Sequence, residues 1–179
     1  GNYDFAANSN ILILGTSYTQ SGVTYAVGLT TGSGTYDGNL TIAGSSSQAT
    51  GFDAGSTQFS VGSTGKVVLI GSSDAGIGLS LGGQTFNNAG NLSLIGYSNT
   101  NTGVDFTAGS LLATTGSNTL VSGTSGGGNG VTLDDLTLDN SGNVSILGSS
   151  VSGGSGVSMR NGIITTNSGS QTLIAGDAN

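Results

Sequence analysis

No cysteine, histidine, proline, tryptophan or glutamate occurs among the 179 residues. Without Cys and His there is no thiol or imidazole to act as a nucleophile, a general base or a soft metal ligand. Glutamate is missing, there is one Met, and Lys66 and Arg160 are the only basic residues. The usual helix formers are therefore scarce, and no segment carries an apolar stripe at helical spacing. Nine Asp against two cations give a net charge of −7, which leaves no basic patch for nucleic-acid phosphates or anionic lipid. No run approaches the roughly 20 apolar residues of a membrane helix. The first residues, Gly1-Asn-Tyr-Asp-Phe5, lack the basic and apolar regions of a signal peptide, so mature or excised material is expected.

What the chain does have is repetition. A polar residue, a four-residue stretch that is mostly branched, and a glycine recur at Asn10-Ile-Leu-Ile-Leu-Gly15, Asn39-Leu-Thr-Ile-Ala-Gly44, Lys66-Val-Val-Leu-Ile-Gly71 and Asn91-Leu-Ser-Leu-Ile-Gly96. Three further copies are Asn118-Thr-Leu-Val-Ser-Gly123, Asn143-Val-Ser-Ile-Leu-Gly148 and Gln171-Thr-Leu-Ile-Ala-Gly176. Their starts are 29, 27, 25, 27, 25 and 28 residues apart, the mark of stacked coils rather than of an ordinary globular domain. Disorder is the rival reading of a chain with 35 Gly, but 34% of residues are hydrophobic and they fall at fixed places in each copy. A solenoid is stabilised by stacking, so zero Cys excludes a disulfide framework without excluding export.

Period-two alternation turns the first and third residues after the polar one inward, as in Leu40 and Ile42 or Leu92 and Leu94. A second phrase follows at Gly22-Val-Thr-Tyr25, Gly51-Phe-Asp-Ala54, Gly78-Leu-Ser-Leu81, Gly103-Val-Asp-Phe106, Gly130-Val-Thr-Leu133 and Gly156-Val-Ser-Met159. A looser third appears at Phe59-Ser-Val61, Leu111-Leu-Ala113, Leu136-Thr-Leu138 and Ile163-Ile-Thr165. The fold class expected is all-β: a right-handed parallel β-helix, or β-solenoid, with three short strands per coil. It has 25–29 residues per coil and roughly seven coils, starting near 10, 39, 66, 91, 118, 143 and 171.

Like residues then stack on like. Asn10, Asn39, Asn91, Asn118 and Asn143 form a ladder of amides at a corner, and the glycine ending each phrase supplies the positive φ of the next corner. Length differences are placed mainly between the first and second phrases, as in Gly44-Ser-Ser-Ser-Gln-Ala-Thr-Gly51 against Gly71-Ser-Ser-Asp-Ala-Gly76. Residues 1–179 read as a single solenoid segment of a longer chain. Tyr3-Asp-Phe5 looks like the third strand of a coil lacking its start, and Gln171 to Asn179 like a coil just begun.

With Gly38-Asn-Leu-Thr-Ile-Ala-Gly-Ser45, Gly90-Asn-Leu-Ser-Leu-Ile-Gly96 and Gly142-Asn-Val-Ser-Ile-Leu-Gly-Ser149, the chain resembles the repeat region of large exported bacterial adhesins. The likeness is to filamentous-haemagglutinin-like proteins of two-partner secretion, with autotransporter passengers second. It covers essentially the whole chain on a structural repeat that exoproteins of different tasks share. The resemblance implies a right-handed parallel β-helix exported through an outer-membrane secretion partner and displayed at the bacterial cell surface. Attachment to a host-cell or neighbouring-cell receptor or glycan would be its task. The Asn-Pro motifs of the secretion domains are absent, since the chain has no proline.

Candidate chemistry is sparse. Asp53 and Asp105 occupy one slot of the second phrase two coils apart, about 9.6 Å, with Ser80 between them, a spacing that suits an inverting carboxylate pair in a carbohydrate-active β-helix. A solvated outward face explains them more simply, and a non-catalytic segment without a cofactor is expected. Asp134, Asp135 and Asp139 form the densest acidic group, a weak candidate for Ca²⁺. Asp134 and Arg160 each sit four residues after a phrase-two glycine and should stack as an exposed ion pair, which contributes little. Gly126-Gly-Gly-Asn-Gly130 has neither helix start nor Lys, so it is a corner and not a phosphate cradle. Tyr18, Tyr36 and Tyr97 fall in or beside corners, where rings can stack on sugars or enter a receptor. Asn39, Asn91 and Asn143 head Asn-x-Ser/Thr sequons, and the resemblance makes glycosylation there possible. An ice-binding solenoid would need a regular outward array of Thr, and the outward residues are irregular.

Overall fold

The structure, a computed structural model, describes residues 9–24, 36–55 and 58–179. Each recurring phrase forms an eight-residue strand: Asn10–Ser17, Asn39–Ser46, Lys66–Ser73, Asn91–Ser98, Asn118–Ser125, Asn143–Ser150 and Gln171–Ala178. These seven lie in chain order in one parallel sheet, and every pair is in the same register, Asn39 beside Asn10 and Ser46 beside Ser17. Two-residue strands at the second phrase form a six-stranded sheet, and four-residue strands at the third form a five-stranded one. The chain is thus an all-β solenoid with three strands per coil and no helix among the described residues. Seven long strands enclose six full turns, so the seventh of the expected coils is only begun. At about 4.8 Å per coil the rod rises about 29 Å. Tyr3-Asp-Phe5 and Tyr25, the end of the first second-phrase copy, lie outside the described residues.

The interior is built from the alternation. Along Asn39–Ser46 the even positions, Leu40, Ile42, Gly44 and Ser46, are buried, and the odd ones face out. Opposite them lie Phe52 and Ala54, Leu79 and Leu81, Val104 and Phe106 from the second phrase, all fully buried. The third wall adds Phe59, Phe86, Leu111 and Leu138. Phe59 stacks on Phe86 at 5.5 Å, and Phe86 meets Phe106 edge-on at 5.5 Å, arrangements that aromatic quadrupoles favour.

Three expectations need correction. The glycine at position six does not open a corner, because the strand runs two residues beyond it and no member of this column has positive φ. It faces inward where the coil is thinnest: a Cβ on Gly44, Gly71, Gly96, Gly123 or Gly148 would lie inside 3.0 Å of the carbonyl oxygen of Gly51, Gly78, Gly103, Gly130 or Gly156. Close backbone approach, not conformational freedom, demands glycine there.

The third strands of the structure contain Phe59-Ser-Val61 and Leu111-Leu-Ala113 as expected but are shifted from the other two sequence readings. They are Gln58–Val61, Thr85–Asn88, Ser110–Ala113, Thr137–Asn140 and Ile163–Thr166. Leu136 is a buried corner residue, and Ile164 takes the inward slot while Ile163 is 61% exposed.

Length variation lies at a different corner from the one expected. The first corner holds five residues in every described coil except the last, between Ser150 and Val157, where it holds six. The third corner holds four, two, four, two and four residues in turn, before Lys66, Asn91, Asn118, Asn143 and Gln171. The unit of this solenoid is therefore a pair of coils, 52 residues from Asn39 to Asn91 and again from Asn91 to Asn143.

Candidate functional site

The amide ladder exists and is exposed to solvent. Asn39 Nδ2 donates to Asn10 Oδ1 at 2.7 Å, Asn118 Nδ2 to Asn91 Oδ1 at 3.3 Å, and Asn143 Nδ2 to Asn118 Oδ1 at 3.1 Å. Lys66 interrupts it between Asn39 and Asn91. The sequon residues Asn39, Asn91 and Asn143 therefore stand on the outer rim of the long sheet, with the sequon hydroxyls of Thr41, Ser93 and Ser145 also turned outward. They recur once per pair of coils. Asn91, Ser93, Asn118, Leu120, Asn143 and Ser145 line one shallow depression on this face.

The three tyrosines separate. Tyr18 is 67% exposed just past the first long strand, and Tyr97, 45% exposed, is the seventh residue of the Asn91–Ser98 strand, in the column of Thr16, Ser45 and Ser72. Both lie along one edge of the rod, three coils or about 14 Å apart. The Tyr97 hydroxyl bonds Asn99 Oδ1. Tyr36 is not a surface residue: it is 4% exposed, bridges to Val61 in the third wall, and donates its hydroxyl to the Ser9 carbonyl at 3.0 Å. Its place in the core removes it as a contact for a receptor. An aromatic beside Gly-rich sequence looks like a corner residue until the third strand, which is short and poorly patterned, is placed.

Four of the candidate carboxylates have a local partner, while Asp134 Oδ1 is buried without one. Ser80 sits between Asp53 and Asp105 as the spacing required. Asp53 Oδ1 accepts from the Gly55 amide at 3.0 Å, and Asp105 Oδ1 accepts from the Thr107 hydroxyl, so each caps the turn that follows it. Asp134 is held by Arg160 one coil above, whose Nε donates to Oδ2 at 2.9 Å with Nη2 on the same oxygen. The pair is asymmetric, since the Asp134 side chain is only 12% exposed while the Arg160 side chain is 76% exposed. The guanidinium hydrogen bond holds the Asp134 carboxyl below its ordinary value. Asp139 accepts from Asn167 Nδ2 at 2.8 Å, and Asp135 occupies a corner with φ of 55°. Among the described residues no three acidic side chains, Asp134, Asp135 and Asp139 included, converge to hold a metal.

Sequence reading missed two polar columns inside the rod. The eighth residue of the first six long strands is serine, and Ser46, Ser73, Ser98, Ser125 and Ser150 are buried. Ser98 Oγ donates to the Gly76 carbonyl one coil below at 2.7 Å and accepts from the Asn101 amide at 2.9 Å, closing the corner and stitching it to its neighbour. Ser73 does the same with the Ala49 carbonyl at 2.6 Å and the Gly76 amide at 2.8 Å. A serine seven residues after the head of each of the first six phrases was the available signal. Asn88 and Asn140, wholly buried, precede the two-residue corners.

In comparison with known proteins, the chain matches no family model, no curated protein and no solved structure.

Proposed function

We propose that this solenoid is a non-catalytic stalk or binding segment of a large secreted bacterial surface adhesin, exported with an outer-membrane secretion partner and supporting attachment to a cell-surface receptor or glycan. The observation that carries the reading is the unbroken register of seven long strands. Each coil adds the same rise and reuses the same interior, which makes a stiff spacer and repeats its outer rim at fixed intervals. Asp53 and Asp105 each cap the turn that follows, and Asp134 is paired with Arg160 through Oδ2. Tyr18 and Tyr97 are the large exposed aromatics on one edge, and rings of this kind supply contact area at low entropic cost.

Binding of the 179-residue chain to glycan and host-surface arrays tests this reading, with Tyr18→Ser and Tyr97→Ser as variants. Specific binding that falls in both variants supports a receptor-binding segment. Silence across the arrays leaves the spacer role, and binding unchanged in both variants removes the tyrosine edge.

A second reading, a carbohydrate-active β-helix, draws on the Asp53–Ser80–Asp105 column alone. Turnover of a polysaccharide that is lost in Asp53→Asn and Asp105→Asn would establish it in place of the first.

A further inference from the structure

The outward side of the seven-stranded sheet differs in chemistry from those of the other two. Positions three and five of each long strand make two central columns, and over successive coils these carry Val68, Ile70, Ile95, Leu120 and Leu147. On one side runs the asparagine column, on the other a column mostly of Ser and Thr that includes Tyr97. Lys66 and Asp177 are the only charged residues among the outward positions of this sheet. By contrast the six-stranded sheet turns Asp53 and Asp105 outward, and the five-stranded sheet Asp139, with Leu112 and Ile163 its exposed apolar exceptions. Parallel sheets are ordinarily covered on both faces, and among the described residues no element of the chain covers this one.

We infer that this face is the contact surface between two copies of the chain, packed sheet against sheet. An apolar centre flanked by uncharged polar rims is the anatomy of a protein interface. Eight residues at about 3.3 Å and the six spacings of about 4.8 Å between the long strands give a face of roughly 26 by 29 Å, or about 750 Å². That is close to the ~800 Å² per partner of a standard stable interface. Charge selects the face as well: copies of net charge −7 repel, and this is the side on which the strands expose a single carboxylate, at the last of them. A two-fold axis in the plane of contact places the central strand Asn91–Ser98 against its own copy and closes the pair, so assembly stops at two.

Analytical ultracentrifugation of the full chain over a range of concentrations tests this. A monomer–dimer equilibrium is expected, and Ile70→Lys/Ile95→Lys should weaken it at least tenfold by bringing like charges together at the centre. If that variant loses its β-sheet circular dichroism, Ile70→Thr/Ile95→Thr keeps β-branched residues at the same positions and should still weaken the dimer. Because the chain has no cysteine, Ile95→Cys provides a unique thiol, which should form an intermolecular disulfide on mild oxidation. A chain that stays monomeric overturns the inference and leaves the face to some other occupant. So does an assembly that grows without limit and does not cross-link through Ile95→Cys, since that is end-to-end stacking of coils.

Discussion

Asn88 Nδ2 donates to Thr119 Oγ1 at 2.8 Å across two coils of the core, and Asn140 Nδ2 makes the same bond to Thr172 Oγ1 at the same distance. Each asparagine also donates to a carbonyl of the strand above, that of Asn118 or Gln171, and accepts from the amide of Gly90 or Gly142. A corner shortened from four residues to two leaves backbone groups facing the interior, and the side chain of Asn88 or Asn140 fills the gap with hydrogen bonds. The pairing also explains why Thr119 and Thr172 stand where other coils have Leu, Ile or Val. These residues, not the surface ladder, mark the two-coil unit.

Asn88→Ala is therefore expected to destabilise the solenoid by about 2–3 kcal/mol, because it strips partners from buried groups. Thr119→Val should cost about 1 kcal/mol, since Asn88 keeps its bond to the Asn118 carbonyl. Denaturant titration of both variants and of the double variant measures the coupling. The double variant should cost less than the two singles added, by roughly 0.5 kcal/mol or more; strict additivity would mean the bond does not matter.

The buried serine column gives a second expectation. Ser98→Ala removes a donor to the Gly76 carbonyl and an acceptor from the Asn101 amide, so a loss of about 1–3 kcal/mol follows from leaving both unpaired. Hydrogen exchange should localise the change, with the amide of Asn101 losing protection. Ser149→Ala, one position from this column and facing outward, is the control and should be near neutral.

Gly96→Ala should be more costly than its single methyl suggests. The added Cβ would fall well inside 3.0 Å of the Gly103 carbonyl oxygen, and neither strand can yield without disturbing the coils above and below. Overpacking of this kind costs about 1–3 kcal/mol, read as a fall in melting temperature. If the glycine served only to turn a corner, as the sequence pattern suggests, a variant there would instead be judged by φ, and φ is ordinary at this position.

Why the sequence yielded some of this and not the rest is a matter of which signals a solenoid repeats. The long strand is legible because eight residues alternate in seven copies. The second phrase is legible because a glycine precedes an apolar pair such as Phe52 and Ala54. The third strand has four residues and accepts Phe59, Leu111 or Ile164 inward but also Asn88 and Asn140, so its frame slips when read by hydrophobicity. Tyr36 was misplaced for the same reason. Ser98 and Asn88 escaped because polar residues are read as outward, whereas a coil corner brings its own carbonyls and amides inside and needs hydroxyls and amides to meet them. The Asp134–Arg160 pair was legible because equal offsets from glycine in adjacent coils become direct neighbours.

Ala108 offers a gain of stability. It stands at φ of 53°, in the same corner slot as Gly83 at 70° and Asp135 at 55°. Asp tolerates this region and Gly has no penalty, but Ala has a Cβ against the following carbonyl and no polar group to compensate. Ala108→Gly is expected to stabilise by up to about 1 kcal/mol, raising the denaturation midpoint without changing the slope. A loss would show that the Ala methyl packs better than its backbone geometry implies.

The ion pair sets a pH dependence whose sign follows from Asp134. The Arg160 hydrogen bond lowers the folded-state value below the ordinary 3.8, so the unfolded chain takes up the proton first as the pH falls. The stabilisation is complete above about pH 4 and is lost as the pH drops through the folded-state value. Arg160→Gln removes the cation and keeps a side chain able to donate, and it should lower stability at pH 7. The difference from the parent should shrink below pH 4 and vanish where Asp134 is protonated in both states. Measured from pH 7 to pH 2, parallel curves with a constant offset would mean that Arg160 acts through packing alone; converging curves assign the effect to the charge.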